Sequence, residues 1–393
     1  MHKHFILFII FVFSLSGFTN IKGQDPFQIE LSDSSFIAVL TCDPGDQLYS
    51  GFGHSAIGVI DYKKRLSMVF NYGTFSFNTS NFYVKFAGGK LNYKLSITSY
   101  KRFLHSYAVD GRQVTEDRLN LSQQQKQELF AALMENYRPE NREYMYDFFF
   151  DNCATRILLK LEDVLADSLQ YFPPVKASIK TFRNLLDEYL KKGSWSDVGI
   201  DLALGSVIDK VASEKNKAFL PDYLKEYLDN CKVNNKPLIK ESKILVPDTA
   251  NFKPALLIST PPFIFWFLFF GLIICSIIFR KRNWLIVDRI LFSTIGFFGV
   301  IVLLMWFATD HSATANNLNF IWVSPLYLIY ALYINGINNK IIKWGTPFFL
   351  ITNILVLVLW QIIPQQFNIT FIPIIGLITL RLAMIFIRLR KKI

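Results

Sequence analysis

Gly53-His54-Ser55-Ala56 and Asp151-Asn152-Cys153-Ala154-Thr155 are the two stretches on which the fold and chemistry of this chain turn. The first follows a Pro44-Gly45 turn and runs into Ile57-Gly58-Val59-Ile60, an apolar run of strand length. The second reads as a helix start. Asp151 or Asn152 can cap it, and Ile157, Leu158, Leu161, Val164 and Leu165 recur behind it at helical spacing. A cysteine in the first turn of a helix lies at the positive end of the backbone dipole, among N–H groups with no intrahelical partner. That setting lowers a thiol pKa and offers donors to an oxyanion. A histidine at a strand start, facing that thiol, would act as its general base. The expectation is a Cys/His nucleophilic site.

Around these stretches, Phe36–Leu40, Ser55–Ile60 and Ser67–Asn71 read as strands, with Asp61–Arg65 a polar hairpin turn. Phe75–Gly89, rich in Phe, Tyr and Asn, reads as a short helix and a turn. Core packing and a lip at a membrane surface are equally open to it. Asn92–Ser99 and Arg112–Leu119 are further strands, and Ser122-Gln123-Gln124-Gln125 is a capping-box pattern opening a helix to Tyr137. Helices are expected over Cys153–Asp167, Thr181–Lys191 and Leu220–Asn230. Antiparallel strands carrying the histidine, then helices of which one carries the cysteine, make an α+β domain.

The chain has 393 residues, 51% of them apolar, and a net charge of +11. Beyond Pro254, eleven Lys and Arg stand against Asp288 and Asp310 alone, so most of the excess charge flanks apolar segments. That pattern is membrane topology and speaks against nucleic acid. Met1-His2-Lys3-His4, the apolar run Phe5–Leu15 and the small residues after it make residues 1–23 a signal peptide. An exported domain is expected over 24–255 and an all-α membrane domain of about five helices over 262–390. The five apolar segments are Pro262–Phe279, Leu285–Phe307, Phe320–Ile334, Pro347–Ile363 and Phe371–Ile387, the third being short. Lys and Arg follow the first, third and fifth segments, whereas the loops Asp310–Asn319 and Pro364–Asn368 carry none. Positive loops inside leave the N-terminal domain outside, in agreement with the signal peptide. Arg289 and Arg381 are expected to snorkel.

Once the signal peptide is removed, His54, His105 and His311 remain, with Cys42, Cys153, Cys231 and Cys275. His105 is expected at the surface, and Cys275 within a span as a small apolar residue. Cys42 and Cys231 could pair in an oxidising compartment, and Cys42 is a minor rival nucleophile. His and Cys do not cluster at ligand spacing, so neither a metal nor another cofactor is expected. Asn71 is the candidate for orienting His54, with Tyr72 the alternative through its hydroxyl. Asn152 or Arg156 could hold an oxyanion or a phosphate. His311, in the outer loop Asp310-His311-Ser312, is either a solvated turn residue or a contact for a lipid head group.

His before an Asn-Cys helix start resembles the circularly permuted NlpC/P60-like (papain-like) thiol enzymes, with their lecithin:retinol acyltransferase branch. More closely, Leu40-Thr41-Cys42-x-Pro44-Gly45, Tyr49-Ser50-x-Phe52-Gly53-His54-Ser55-Ala56, Phe70-Asn71-Tyr72-Gly73-Thr74-Phe75, Phe82-Tyr83-x-Lys85-Phe86 and Asp151-Asn152-Cys153 resemble the Lnb N-terminal periplasmic domain family. The C-terminal spans resemble those of its membrane-bound members. This resemblance implies a multi-pass protein of the bacterial inner membrane with its catalytic domain in the periplasm. It implies lipoprotein N-acyltransferase activity: an acyl chain passes from a membrane phospholipid, through a Cys153 thioester, to the α-amino group of a diacylglyceryl lipoprotein's N-terminal cysteine. His54 would be the base, and Phe52, Gly53, Asn71 and Tyr72 would form the surrounding pocket, with Ser55 a further candidate for contact with substrate. The alternative is a thiol peptidase or amidase acting on peptidoglycan, against which five spans argue. A third reading is a non-enzymatic envelope protein with a degenerate site.

Overall fold

The computed structural model describes residues 29–174, 178–250, 256–279, 282–336 and 339–390, and the expected signal peptide lies outside them. Ten strands are described: β1 (Phe36–Cys42), β2 (His54–Asp61), β3 (Leu66–Thr74), β4 (Asn92–Ser99), β5 (Val114–Leu119), β6 (Glu143–Met145), β7 (Leu169–Tyr171), β8 (Cys231–Val233), β9 (Lys236–Pro237) and β10 (Ile239–Val246). Seven form one antiparallel sheet in the order β10-β5-β1-β2-β3-β4-β6, and β7-β8-β9 form a small second one. Residues in β1 and β2 are apolar almost without alternation because both faces of the sheet are covered. On one face Leu40, Ala56, Ile60 and Val69 pack with Phe103 of the helix Tyr100–Val109. On the other, Ile37, Val39, Ile57, Val59, Phe70 and Leu95 pack with the helices Gln123–Tyr137, Cys153–Leu165 and Pro221–Asp229.

The helix Tyr100–Val109 and the short strands β6 to β9 were not expected, and three further parts of this domain differ from the sequence reading. Thr181–Lys191 is helical only over Phe182–Asp187. A helix at Trp195–Ala203 and the edge strand β10 were not expected. In β10 the run Lys240-Glu241-Ser242-Lys243 faces solvent, so the strand has the charged edge that discourages further pairing, not an apolar period.

Four helices among the described residues are long and apolar enough to cross a membrane: Pro261–Ile278, Leu285–Phe307, Lys340–Val358 and Ile369–Arg390. The third expected span is different. It is a 3₁₀ turn at Leu318–Ile321 and a helix at Leu326–Tyr333, with Pro325 at the helix start. Glycines let it lie backbone-close to the helix before it. A Cβ at Gly299 would fall 1.7 Å from the Val323 carbonyl oxygen, and one at Gly296 would fall 2.6 Å from the Leu328 nitrogen.

Arg381 does not snorkel. It is fully buried, bonded through Nε and Nη2 to both carboxylate oxygens of Asp288 at 2.5 and 3.0 Å and through Nη1 to Ser276 Oγ at 3.1 Å. With Ser276 this pair joins three membrane helices. Arg289, by contrast, is exposed.

The two loops that lack Lys and Arg are the ones that meet the N-terminal domain. Asn317 and Asn319 donate to backbone carbonyls of the helix Trp195–Ala203, and Gln365 donates to the Leu204 carbonyl. Gly205 N–H donates to the Ala313 carbonyl at 2.9 Å, and Asn368 donates to Asp197 and Asp201. Loop position therefore agrees with the charge rule.

Candidate active site

The site forms where β2 begins, β3 ends and the helix Cys153–Leu165 starts. Asn152 caps that helix. Its Oδ1 accepts from the N–H groups of Ala154 and Thr155 at 2.8 and 2.9 Å, and its Nδ2 donates to the carbonyls of Phe148 and Phe219 at 2.7 and 2.8 Å. Thr155 Oγ1 completes the box by accepting from the Asn152 N–H. The cap fixes Cys153 as the first helical residue, with its thiol buried.

His54 opens β2, opposite Cys42 of β1, after a turn in which Gly53 holds φ at +77°. A side chain at Gly53 would strike the Cys42 carbonyl, so this tight approach needs glycine. His54 Nε2–H donates to Asn71 Oδ1 at 2.6 Å, which leaves Nδ1 for the thiol. Burial alone would push the Cys153 thiol up. The His54 charge, a hydrogen bond with His54 and the N–H groups of Ser55 and Ala154 outweigh it and hold the thiol below its ordinary range. Burial pushes His54 down, but the Cys153 charge, the bond to the thiol and the Asn71 bond bring it above its ordinary value. Both shifts run in the direction that favours thiolate beside imidazolium.

β3 carries a register shift between Asn71 and Thr74, and Gly73 lies in it with φ at +80°. A Cβ there would lie 3.7 Å from Cys153 Cβ, so a bare backbone borders the nucleophile. Cys153, His54, Gly53 and Gly73 open into a cavity of about 500 Å³, walled by Phe52, Phe75, Phe86, Tyr93, Tyr146, Phe148, Phe149 and Phe219. Asp310, His311, Ser312 and Ala313, from the loop after a membrane helix, close the same space. Ser312 Oγ donates to Asp147 Oδ2 at 2.7 Å, and His311 Nε2 hydrogen-bonds the Phe86 carbonyl at 3.2 Å.

The other residues singled out in the sequence lie elsewhere or are already engaged. Tyr72 is buried in the core, its hydroxyl donating to Asn136 at 2.6 Å. Arg156 pairs with Asp151 through two bonds and lies over the Tyr144 ring at 3.5 Å, outside the cavity lining. Asn152 touches the cavity, but its side-chain oxygen serves the cap and its side-chain nitrogen the Phe148 and Phe219 carbonyls. Ser55 offers its N–H to the thiol, while its buried hydroxyl has no partner among the described residues. Cys42 and Cys231 are both free, so the disulfide considered from sequence is not formed. Burial pushes the Cys231 thiol up to about 12 and raises that of Cys42 strongly, which disfavours Cys42 as a rival nucleophile. His105 is exposed, as expected.

The sequence reading missed Gly73 as a neighbour of the thiol, and the wall formed by Tyr146, Phe148, Phe149 and Phe219. The aromatic run Tyr144–Phe150 just before Cys153 was the available signal.

Comparison with known families places both halves of the chain. The Lnb N-terminal periplasmic domain matches residues 27–188, and the Lnb transmembrane domain matches residues 253–392. Neither a curated protein nor a solved structure matches the chain. Together with the apolar helices, these matches describe a multi-pass membrane protein with a periplasmic domain, consistent with an enzyme. The chain belongs to the Lnb family.

Proposed function

We propose that this protein is a lipoprotein N-acyltransferase of the bacterial inner membrane that works through a Cys153 thioester. The observation that carries the reading is the shared cavity: a depressed, histidine-paired thiol and a loop leaving a membrane helix line one aromatic-walled space. The Cys153 thiolate attacks an ester carbonyl of a phospholipid, and the helix N-terminus favours the oxyanion that forms. The C–O bond breaks, His54 gives its proton to the leaving glycerol oxygen, and the thioester remains. The α-amino group of the lipoprotein's terminal cysteine then attacks. His54 takes a proton from that nitrogen, the C–S bond breaks, and the proton returns to the thiolate. Asn71 keeps Nδ1 of His54 turned to the reaction. Apolar walls exclude water, which favours the amine over hydrolysis.

The papain-like kinship of the domain and a fifth crossing by the short segment 318–334 belong to the same proposal. Asn319 touches the N-terminal domain, whereas the next long helix starts at Lys340 among the basic loops, which supports a crossing between them. A peptidoglycan amidase is the alternative, but an aromatic cavity beside membrane helices suits an acyl chain better than a glycan-linked peptide.

The test is intact-mass spectrometry of the protein in phospholipid nanodiscs. An acyl adduct on Cys153 that neutral hydroxylamine removes, and that Cys153→Ala lacks, supports the thioester. No such adduct, together with cleavage of peptidoglycan fragments, would move the assignment to the amidase.

A further inference from the structure

We infer that the helix Phe82–Ala87 is a lip seated in the outer leaflet, and that the rings behind it are a track along which one acyl chain of a membrane lipid reaches Cys153. The destination rests on the acyl-transfer reading; the membrane contact does not.

Depth is fixed by hydrogen bonds between the loop after a membrane helix and the lip. The membrane helix Leu285–Phe307 ends three residues before Asp310. Asp310 N–H donates to the Gly88 carbonyl at 3.0 Å, and His311 bonds the Phe86 carbonyl at 3.2 Å. Gly89 has no Cβ to hold this contact apart: one there would lie 3.2 Å from the Asp310 backbone. Three extended residues span at most roughly 11 Å, so the lip cannot rise far above the interfacial layer.

At that level the helix presents apolar side chains to the outside. Tyr83, Val84 and Phe86 are 80%, 74% and 50% exposed, Phe86 also bordering the cavity, and Phe77, in the turn before the helix, is 66% exposed. In water such a patch has no explanation, but at a membrane surface aromatic rings are at home. Lys85 and Lys90, both exposed, flank them at positions suited to lipid phosphates.

Behind the lip the rings form a continuous contact path. Tyr83 meets Phe82 at 5.3 Å between centroids, Phe82 meets Phe75 at 5.8 Å, Phe75 meets Tyr93 at 5.2 Å, and Tyr93 stacks on Tyr146 at 4.4 Å. Tyr146 borders Gly73, and Gly73 borders Cys153. Phe75, Tyr93 and Tyr146 also line the cavity. An apolar chain sliding along these rings would leave the leaflet without crossing water.

The test places the photocrosslinking residue p-benzoylphenylalanine at single positions of the full-length protein in phospholipid nanodiscs. Tyr83 is the lip position and Tyr93 the track position. Tyr62 is equally exposed but lies in the β2–β3 turn, roughly 25 Å along the sheet from His54. Phe267, exposed on a membrane helix, is the positive control. The expected result is lipid adducts at 83 and 267, none at 62, and an adduct at 93 that maps to the acyl chain. Adducts at 267 without any at 83, or protein adducts at 83, would overturn the lip. A lipid adduct at 83 with none at 93 would overturn the track. Running the series on Cys153→Ala keeps the outcome independent of whether the protein transfers acyl groups.

Discussion

Asn152 should be the most costly single residue of the site to lose from the fold, because one side chain both starts the nucleophile helix and anchors it to two other segments. Asn152→Ala removes the N-cap, which costs about 1 kcal/mol, and takes the donor from two carbonyls, at about 1 kcal/mol each. The total is about 3 kcal/mol. Asn152→Ser restores a capping oxygen but not the donors, so about 2 kcal/mol remains. Since each 1.4 kcal/mol is tenfold, amides of the peptide spanning 153–165 should exchange about 140-fold faster in the Ala variant and about 30-fold faster in the Ser variant. Hydrogen exchange read by mass spectrometry on the protein in nanodiscs measures this directly, without requiring the whole chain to unfold in one step. Exchange in the Ala variant within about threefold of wild type, against the expected decades, would refute the reasoning. So would Ser exchanging as fast as Ala, since capping would then contribute nothing.

Removing Asn71 should act through His54. Acylation of Cys153 requires thiolate and imidazolium together, so its rate rises as pH passes the depressed thiol and falls as pH passes the raised histidine. Asn71→Ala deletes one of the causes that raise His54, so the alkaline limb of the pH–rate profile should move to lower pH. An unmoved limb would contradict the role. In the membrane, Arg381→Leu leaves Asp288 buried without its partner and should cost about 3–5 kcal/mol, whereas the double variant with Asp288→Leu should recover most of that in thermal melts. Equal melting of single and double variants would count against this. Gly205→Ala would set a Cβ 1.8 Å from the Ala315 carbonyl oxygen. It should pry the loop 310–319 from the periplasmic domain, read as faster exchange in that loop; wild-type protection there would be the contrary result.

Much of the site was legible because its signals are local. Asn-Cys before an amphipathic run announces a capped helix, and Gly-His before an apolar run announces a strand start. What the sequence could not convey is which side chains are already spent. Arg156 and Tyr72 carry groups suited to a site, yet Asp151 and Asn136 use them. Those partnerships are set by tertiary packing and leave no periodic trace. Gly73 escaped notice for a related reason: its importance is the absence of a side chain beside Cys153, in a bulge that pattern reading does not register. In the membrane half, charge fixed the orientation correctly, but Arg381 was read by position alone. Its partner Asp288 lies on another helix, and only the packing of three helices brings them together. Segment 318–334 is apolar enough for a span, yet Pro325 and the close glycine contacts give it a broken path.

The central claim is tested most directly by mass spectrometry of lipoprotein N-terminal lipopeptides from cells making either the intact protein or its Cys153→Ala form. The account predicts an amide-linked acyl chain on the terminal cysteine only where Cys153 is intact. A free α-amino group in both, with the protein inserted in the membrane in both, would contradict it.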